Sequence, residues 1–394
     1  MMKKQNRKIP SFSAKAVLLP LFFLLTLLAF PAPSFEQKQT PYGGSSLSAE
    51  NSAESSSESV TPRKKPITYK KIETEIEGEP QVMHFLELDL TEPGLTVFPV
   101  LSGDCIFGFE HLSVMNDRYH AQASVNGGFN YAYGQPAGLV IQNGKLLTGS
   151  MGYGRILMIQ NRKAWFQDTP TRIWLEYKGT QLPVDRVNPY PADEGILVFT
   201  PEFGPTNRIE EKHIACVVRN NRVVSVKEEA REAGIPKDGF LVVDLRTEDS
   251  PLLQLSDEQE IDMRWEENAD QGYQCSGSLV ENGQNVSQDY DPWGGNMRIR
   301  TPRTAVGIKD ENTLVFLVID GRQPGYSKGV TGKQLADVLI AVGVTEAALL
   351  DGGASSEMIV DDEIVNSPST GKERLLASAF IIRADGDGET ALKP

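Results

Sequence analysis

The chain has 394 residues, 40% apolar and 23% charged, and a net charge of −14. That balance fits a globular chain with a sizeable core and weighs against a duplex nucleic-acid binder, which needs a basic face to displace counterions. A small anionic ligand stays open, because a local arginine cluster binds an anion on an acidic protein.

In chain order, the N-terminus comes first. Lys3, Lys4, Arg7, Lys8 and Lys15 precede or border an apolar run from Ala16 to Phe30, broken only by Pro20 and Thr26. The run is short for a spanning helix and suits the core of an export signal. Residues 1–34 therefore read as a signal peptide or an N-terminal membrane anchor, placing the remainder outside the cytoplasm. Residues 35–66 are rich in Ser, Glu, Gln and Pro and nearly free of apolar side chains, the composition of a disordered linker. One domain is expected over 67–386, with a disordered tail at 387–394.

From Ile67 onward β patterns dominate. Apolar runs occur at Val82–Leu90, Leu95–Leu101, Ala137–Ile141, Ile196–Phe199, Ile214–Val218, Phe240–Val243, Thr304–Ile308, Leu314–Ile319, Ala347–Leu350 and Ala377–Ile382, with turn residues between them. The polar stretch 155–275 reads as an inserted or elaborated lobe. Two helices are predicted. One is His111–Gln122. The other starts at Thr331, where Thr331 and Gln334 have capping-box spacing, carries Leu335, Val338, Leu339 and Val342 on one face, and stops at Gly343. The expected class is α+β: a mixed, predominantly β-sheet domain with a few flanking helices and one strand–helix–strand crossover.

Cys105, Cys216 and Cys275 are far apart and odd in number, without metal-ligand spacing. They read as buried thiols, a single disulfide among them being left open. His84, His111, His120 and His213 lack zinc spacing, and no cofactor is expected. Gly329–Lys333 has the wrong spacing for a phosphate loop, and no Gly-x-Ser-x-Gly elbow occurs.

The chemistry gathers in the last quarter. Leu314–Ile319 ends at Asp320 and, after the Thr331 helix, Ala347–Leu350 ends at Asp351. A crossover makes those strands parallel, so the two carboxylates share the carboxyl edge of the sheet. Thr304–Ile308 forms a hairpin with Leu314–Ile319, which brings Arg303 beside Asp320. Arg374 joins them if the strand after it is also antiparallel to its neighbour, a point left open. The candidate catalytic groups are Asp320 and Asp351. Candidate binding groups are Arg303, Thr304, Gly321, Arg322 and Arg374, the turn residues Gly352, Gly353, Ser355 and Ser356, and Asn126 with the Gly127 and Gly128 backbone. Guanidinium forks suit an anionic substrate, and paired carboxylates suit acid–base work. Taken singly, each Asp-Gly or Asn-Gly is also an ordinary turn, and each arginine an ordinary structural ion pair.

The ordered motifs Asn126–Phe129, Ala137–Ile141 with Asn143-Gly144, Leu279–Gly283, Arg303–Ile308, Asp320–Arg322, Thr331–Gly343, Asp351–Ser356, Asn366 and Glu373-Arg374 resemble the phosphodiester glycosidase family over 67–383. Ala354 stands where the family usually has a third glycine, and Asn130 where a second aromatic is common. The resemblance implies a bacterial exported hydrolase, secreted or held at the outer face of the cytoplasmic membrane. It would cleave a sugar-1-phosphate diester of an envelope glycan into free sugar and a phosphate monoester. It further implies that Arg303, with Arg322 or Arg374, binds phosphate, that Asp320 or Asp351 activates water or attacks the anomeric carbon, and that Asn126, Gly127, Gly128 and Ser355 hold the sugar. Two other readings remain: a non-catalytic binder of anionic envelope polysaccharide, and a phosphodiesterase that breaks P–O instead of C–O.

Overall fold

The run Thr313–Ile319 is buried on both sides because successive side chains of a strand point to opposite faces. Leu314, Phe316 and Val318 enter the central core, while Val315, Leu317 and Ile319 pack with the apolar residues of helix α2 (Gly332–Ala341). A strand covered twice has no use for polar alternation, which is why the run is uniformly apolar. The computed structural model describes residues 66–384 except 193, 267 and 268. The expected export segment, nearly all of the linker and the expected C-terminal tail lie outside the described residues.

Thr313–Ile319 belongs to a seven-stranded sheet in the order Ile67–Ile76, Glu79–Asp89, Thr313–Ile319, Arg303–Asp310, Glu346–Leu349, Ser278–Glu281, Gln284–Asn285. Each neighbouring pair is antiparallel. The crossover through α2 therefore links two parallel strands with Arg303–Asp310 lying between them. α2 begins as its sequence dictates: the Thr331 hydroxyl accepts from Gln334 N at 3.2 Å, and the Gln334 side chain accepts from Thr331 N at 3.0 Å. Gly343, at φ 88°, follows its end.

A second sheet, in the order Glu363–Ile364, Met358–Val360, Ala123–Asn126, Ser378–Ala384, Leu95–Leu101, faces the first across the central core. Ser378–Ala384 is antiparallel to both of its neighbours. Helix α1 (Leu112–Tyr119) covers its outer side through Leu112 and Met115. It is shorter than predicted, since His120 adopts a left-handed conformation at φ 49° and closes it.

The 155–275 stretch forms two further sheets and part of a third around its own apolar cluster. It also sends Leu157, Leu197, Phe199, Leu241 and Tyr273 into the central core. The hairpin strand Ile67–Ile76 was not foreseen. It is an edge strand with exposed Lys70, Lys71, Glu73 and Glu75, charges that discourage pairing with another chain and hide the β pattern. All three cysteines are free. Cys216 and Cys275 are buried, and burial pushes both thiols up to about 12. Cys105 corrects the buried expectation, for it is exposed.

Candidate active site

Pleat parity decides what the carboxyl edge presents. Along Arg303–Asp310, Ala305 packs with the α2 core, whereas Val306 and Ile308 enter the central core. Arg303 shares the parity of Ala305. It is 3% exposed, and its Nη2 donates to Ile299 O at 3.0 Å, its Nε to Val330 O at 3.3 Å. Burial lowers its guanidinium to about 10; Asp291 works against that shift, and Arg322 adds to it.

Arg303, Arg322, Arg374 and Asp351 line one cavity of about 330 Å³, together with Gly352 and Gly353 and an aromatic wall of Phe129 and Trp293. Three arginines and one carboxyl line it, Arg374 acting on Asp351 by its charge, so an acidic protein contains a locally cationic pocket. Burial raises the proton affinity of Asp351, opposed by the Ser355 hydroxyl, Arg374 and the Gly352 backbone. Two glycines shape the turn. Gly353 has φ 64°, donates to Pro302 O at 2.8 Å, and would put a β-carbon 3.1 Å from Arg322 Nη2. At Gly352 a β-carbon would come 2.9 Å from Pro302 O. Ala354 is not among the left-handed residues, so the departure from a third glycine leaves the turn unstrained.

Asp320 does not join this pocket, which corrects the expected meeting with Arg303. Arg303 is paired with Ile319, so Asp320 lies one residue further along and on the opposite face, the side of Val318 and His84. Its carboxylate is 1% exposed and faces His84 Nε2 at 3.3 Å. It accepts from Tyr326 Oη at 3.1 Å, Asn366 Nδ2 at 3.1 Å and Ser367 N at 3.0 Å. Tyr69 Oη lies 2.9 Å from His84 Nδ1, extending this buried network. Asp320 and Asp351 share an edge of the sheet but not a cavity.

The Asn126–Gly128 segment also differs from expectation. The Asn126 amide donates to Asp351 O at 2.8 Å, and its oxygen accepts from Thr304 Oγ1 at 2.9 Å and Glu357 N at 3.1 Å. Thr304 Oγ1 further lies 3.1 Å from Ser356 Oγ. Asn126, Thr304 and Ser356 thus form a buried brace behind the Asp351 turn. Gly127 N donates to Ser378 O, and Gly128 N to the Tyr273 hydroxyl at 2.6 Å. Those N–H groups are already engaged inside the protein, and the glycines make room for Tyr273 and Ser378. Gly321 likewise packs against Pro302 and Gly329.

Arg374 arrives from the second sheet. Its neighbour Glu373 accepts from Ser113 N at 3.0 Å and Ser113 Oγ at 2.8 Å, tying the segment to the first turn of α1. Facing Glu373 and the Arg374 backbone is Glu357, 1% exposed, with both carboxyl oxygens buried. Burial first, then Glu373, pushes its carboxyl up to about 8. Sequence reasoning missed this residue, which follows the two serines without any local signature of its own. It also missed Asp291. That carboxylate accepts from Trp293 N at 2.9 Å and Gly294 N at 2.6 Å, setting Trp293 against Phe129 with ring centroids 6.0 Å apart. The signal was present: an Asp whose side chain caps the turn two and three residues on.

Residues 206–383 match the sequence profile described as phosphodiester glycosidase. Over those residues the chain is similar to a phosphodiester glycosidase family domain. A 109-residue stretch is 30% identical to YomE, an SPbeta prophage-derived uncharacterized protein of Bacillus subtilis, over 28% of this chain and 17% of that one. A hypothetical protein from Synechocystis superposes with a TM-score of 0.68 and 18% identity, over 81% of this chain and 62% of its own. A candidate exported protein from Burkholderia pseudomallei gives 0.59 and 21%, over 77% and 74%. Both likenesses concern the fold. The chain thus spans 17% of the curated relative and 62% of the Synechocystis protein. Arg303, Arg322, Asp351 and Arg374 all lie inside the matched family domain. Asn126 and Phe129 lie outside it, although Asn126 bonds to Asp351 and Phe129 lines the cavity.

Proposed function

We propose that the protein is a hydrolase of sugar-1-phosphate diesters, exported to act on an envelope glycan or glycoconjugate, with Asp351 as its reacting carboxyl. The observation that carries the reading is one cavity lined by three arginines and a single carboxyl. Arg303, Arg322 and Arg374 hold the diester phosphate as charge-assisted forks. Asp351, whose proton affinity burial raises, acts as the general base and takes a proton from water as the oxygen attacks the anomeric carbon. The C–O bond to phosphate breaks, and its electron pair leaves on the phosphate oxygen. A phosphate leaving group stabilised by three cations needs no strong general acid, which suits a pocket with one carboxyl. The Phe129 and Trp293 wall offers an apolar face to the sugar, and Ser355 holds Asp351. Asp320 is assigned a supporting role, fixing the Asn366–Ser367 segment. Export rests on the basic and apolar N-terminal segment.

The test is incubation with UDP-N-acetylglucosamine in oxygen-18 water. Free sugar carrying the label, abolished by at least a hundredfold in Asp351→Asn, is expected from C–O cleavage with one essential carboxyl. Sugar 1-phosphate as product would overturn the bond assignment. No turnover of this or an aryl sugar phosphodiester would favour a binding module.

A further inference from the structure

Beside the pocket stands a set of aromatic side chains that the proposed reaction does not use. Phe129 and Asn130 line the pocket, and the next residue, Tyr131, is 37% exposed. Tyr131 stacks on Tyr133 with ring centroids 5.6 Å apart and planes at 10°, and Tyr133 meets Tyr190 edge-on at 5.3 Å. Tyr190 is 41% exposed. Exposed rings in contact with one another, on a chain that has ample apolar core elsewhere, are a surface feature that asks for an occupant.

The patch is rigid. Tyr131 N donates to Gln135 O and Gly134 N to Tyr131 O, both at 2.9 Å, while Gly108 N donates to Tyr133 O at 3.2 Å. Gly134, at φ 93°, passes so close to Gly108 that a β-carbon would lie 2.1 Å from the Gly108 carbonyl oxygen. The Tyr133 hydroxyl donates to the Tyr190 carbonyl. Beneath, the Arg208 guanidinium sits 4.5 Å from the Phe107 ring centroid and 5.9 Å from that of Tyr190, adding positive charge below the rings.

We propose that Tyr131 and Tyr190 form a glycan-binding platform that holds the chain of a phosphate-linked polysaccharide whose reacting linkage lies in the Asp351 pocket. A pyranose ring has a flat face of C–H bonds rimmed by hydroxyls, which matches an exposed tyrosine with an apolar ring and a wet hydroxyl. Pinned rings lose little freedom on binding, and Arg208 suits a polymer that carries phosphate. The occupant is argued from continuity with the pocket rim through Phe129–Tyr131; the proposal rests on the hydrolase reading for its direction, though not for its test.

The test is affinity electrophoresis of the full chain in native gels containing poly(N-acetylglucosamine 1-phosphate) or, separately, hydroxyethyl cellulose. The wild-type protein is expected to be retarded by poly(N-acetylglucosamine 1-phosphate) more than by hydroxyethyl cellulose, and Tyr131→Ala/Tyr190→Ala to lose at least fivefold in apparent affinity. Tyr131→Phe/Tyr190→Phe, which keeps the rings, should remain retarded, separating ring loss from misfolding. Asp351→Asn should also remain retarded, so loss of sugar release and loss of chain binding are read independently. Wild-type protein unretarded by the phosphate polymer, or equal retardation of the alanine variant, overturns the platform. A concentration-dependent dimer in sedimentation that the alanine variant abolishes also overturns it, by assigning the patch to a second copy of this chain.

Discussion

Glu357 is a carboxyl buried against a second carboxylate, Glu373, and its proton affinity follows from that placement. In the unfolded chain it ionises near the ordinary glutamate range, whereas in the folded protein its carboxyl is pushed up to about 8. The folded state therefore holds a proton that the unfolded state has released. Stability from this group is fully present below the unfolded value and is lost as pH rises toward the folded one. On the order of a few kcal/mol is at stake. Glu357→Gln, neutral and nearly isosteric, should flatten the decline in melting temperature between pH 5 and pH 9 measured by circular dichroism; an unchanged profile would remove Glu357 from the account. A second prediction concerns Gly353. Alanine there must adopt a positive φ, costing about 1 kcal/mol, and its β-carbon presses on Arg322. On the proposed chemistry, displacing Arg322 should raise KM for a sugar phosphodiester about tenfold, equivalent to about 1.4 kcal/mol of binding, in a protein that still folds. An unaltered KM would show that Arg322 does not depend on this turn.

At the scale of elements, the capping box of α2 gives a prediction that isolates local from tertiary stability. Thr331→Ala removes an N-cap worth about 1 kcal/mol, which for a domain of this size lowers the melting temperature by about 2 °C; no shift in a thermal melt would mean that packing alone holds the helix. The box was legible because capping is written within four residues. Most central strands were legible too, since Leu95–Leu101 and Ile196–Phe199 are buried runs whose limits coincide with those observed. The shared edge of Asp320 and Asp351 followed from topology. Their separation into different cavities did not, because topology fixes which ends of strands coincide while the period-2 pleat fixes the face, and the register Arg303↔Ile319 was needed to set one against the other. Glu357 and Tyr273 were illegible for another reason. Their partners, Glu373 and the Gly128–Ser378 pair, lie far away in sequence, and no local pattern announces such contacts.

The family match at 206–383 is smaller than the folded unit. Glu79–Asp89 pairs along Thr313–Ile319, and both Leu95–Leu101 and Ala123–Asn126 pair with Ser378–Ala384. A fragment limited to 206–383 exposes two core strands on bare edges and should give no cooperative unfolding transition; a sharp calorimetric transition from that fragment would refute this. The pocket inherits the same dependence. Arg303 and Asp351 stand at the edge of the first sheet, and Arg374 leads into Ser378–Ala384 of the second. A chain still waiting for its last strand to dock has two of its three cations in place and nothing to close the ring around a phosphate. On the proposed chemistry the protein is thus mute until Ser378–Ala384 is seated, so turnover would report completed assembly of the second sheet.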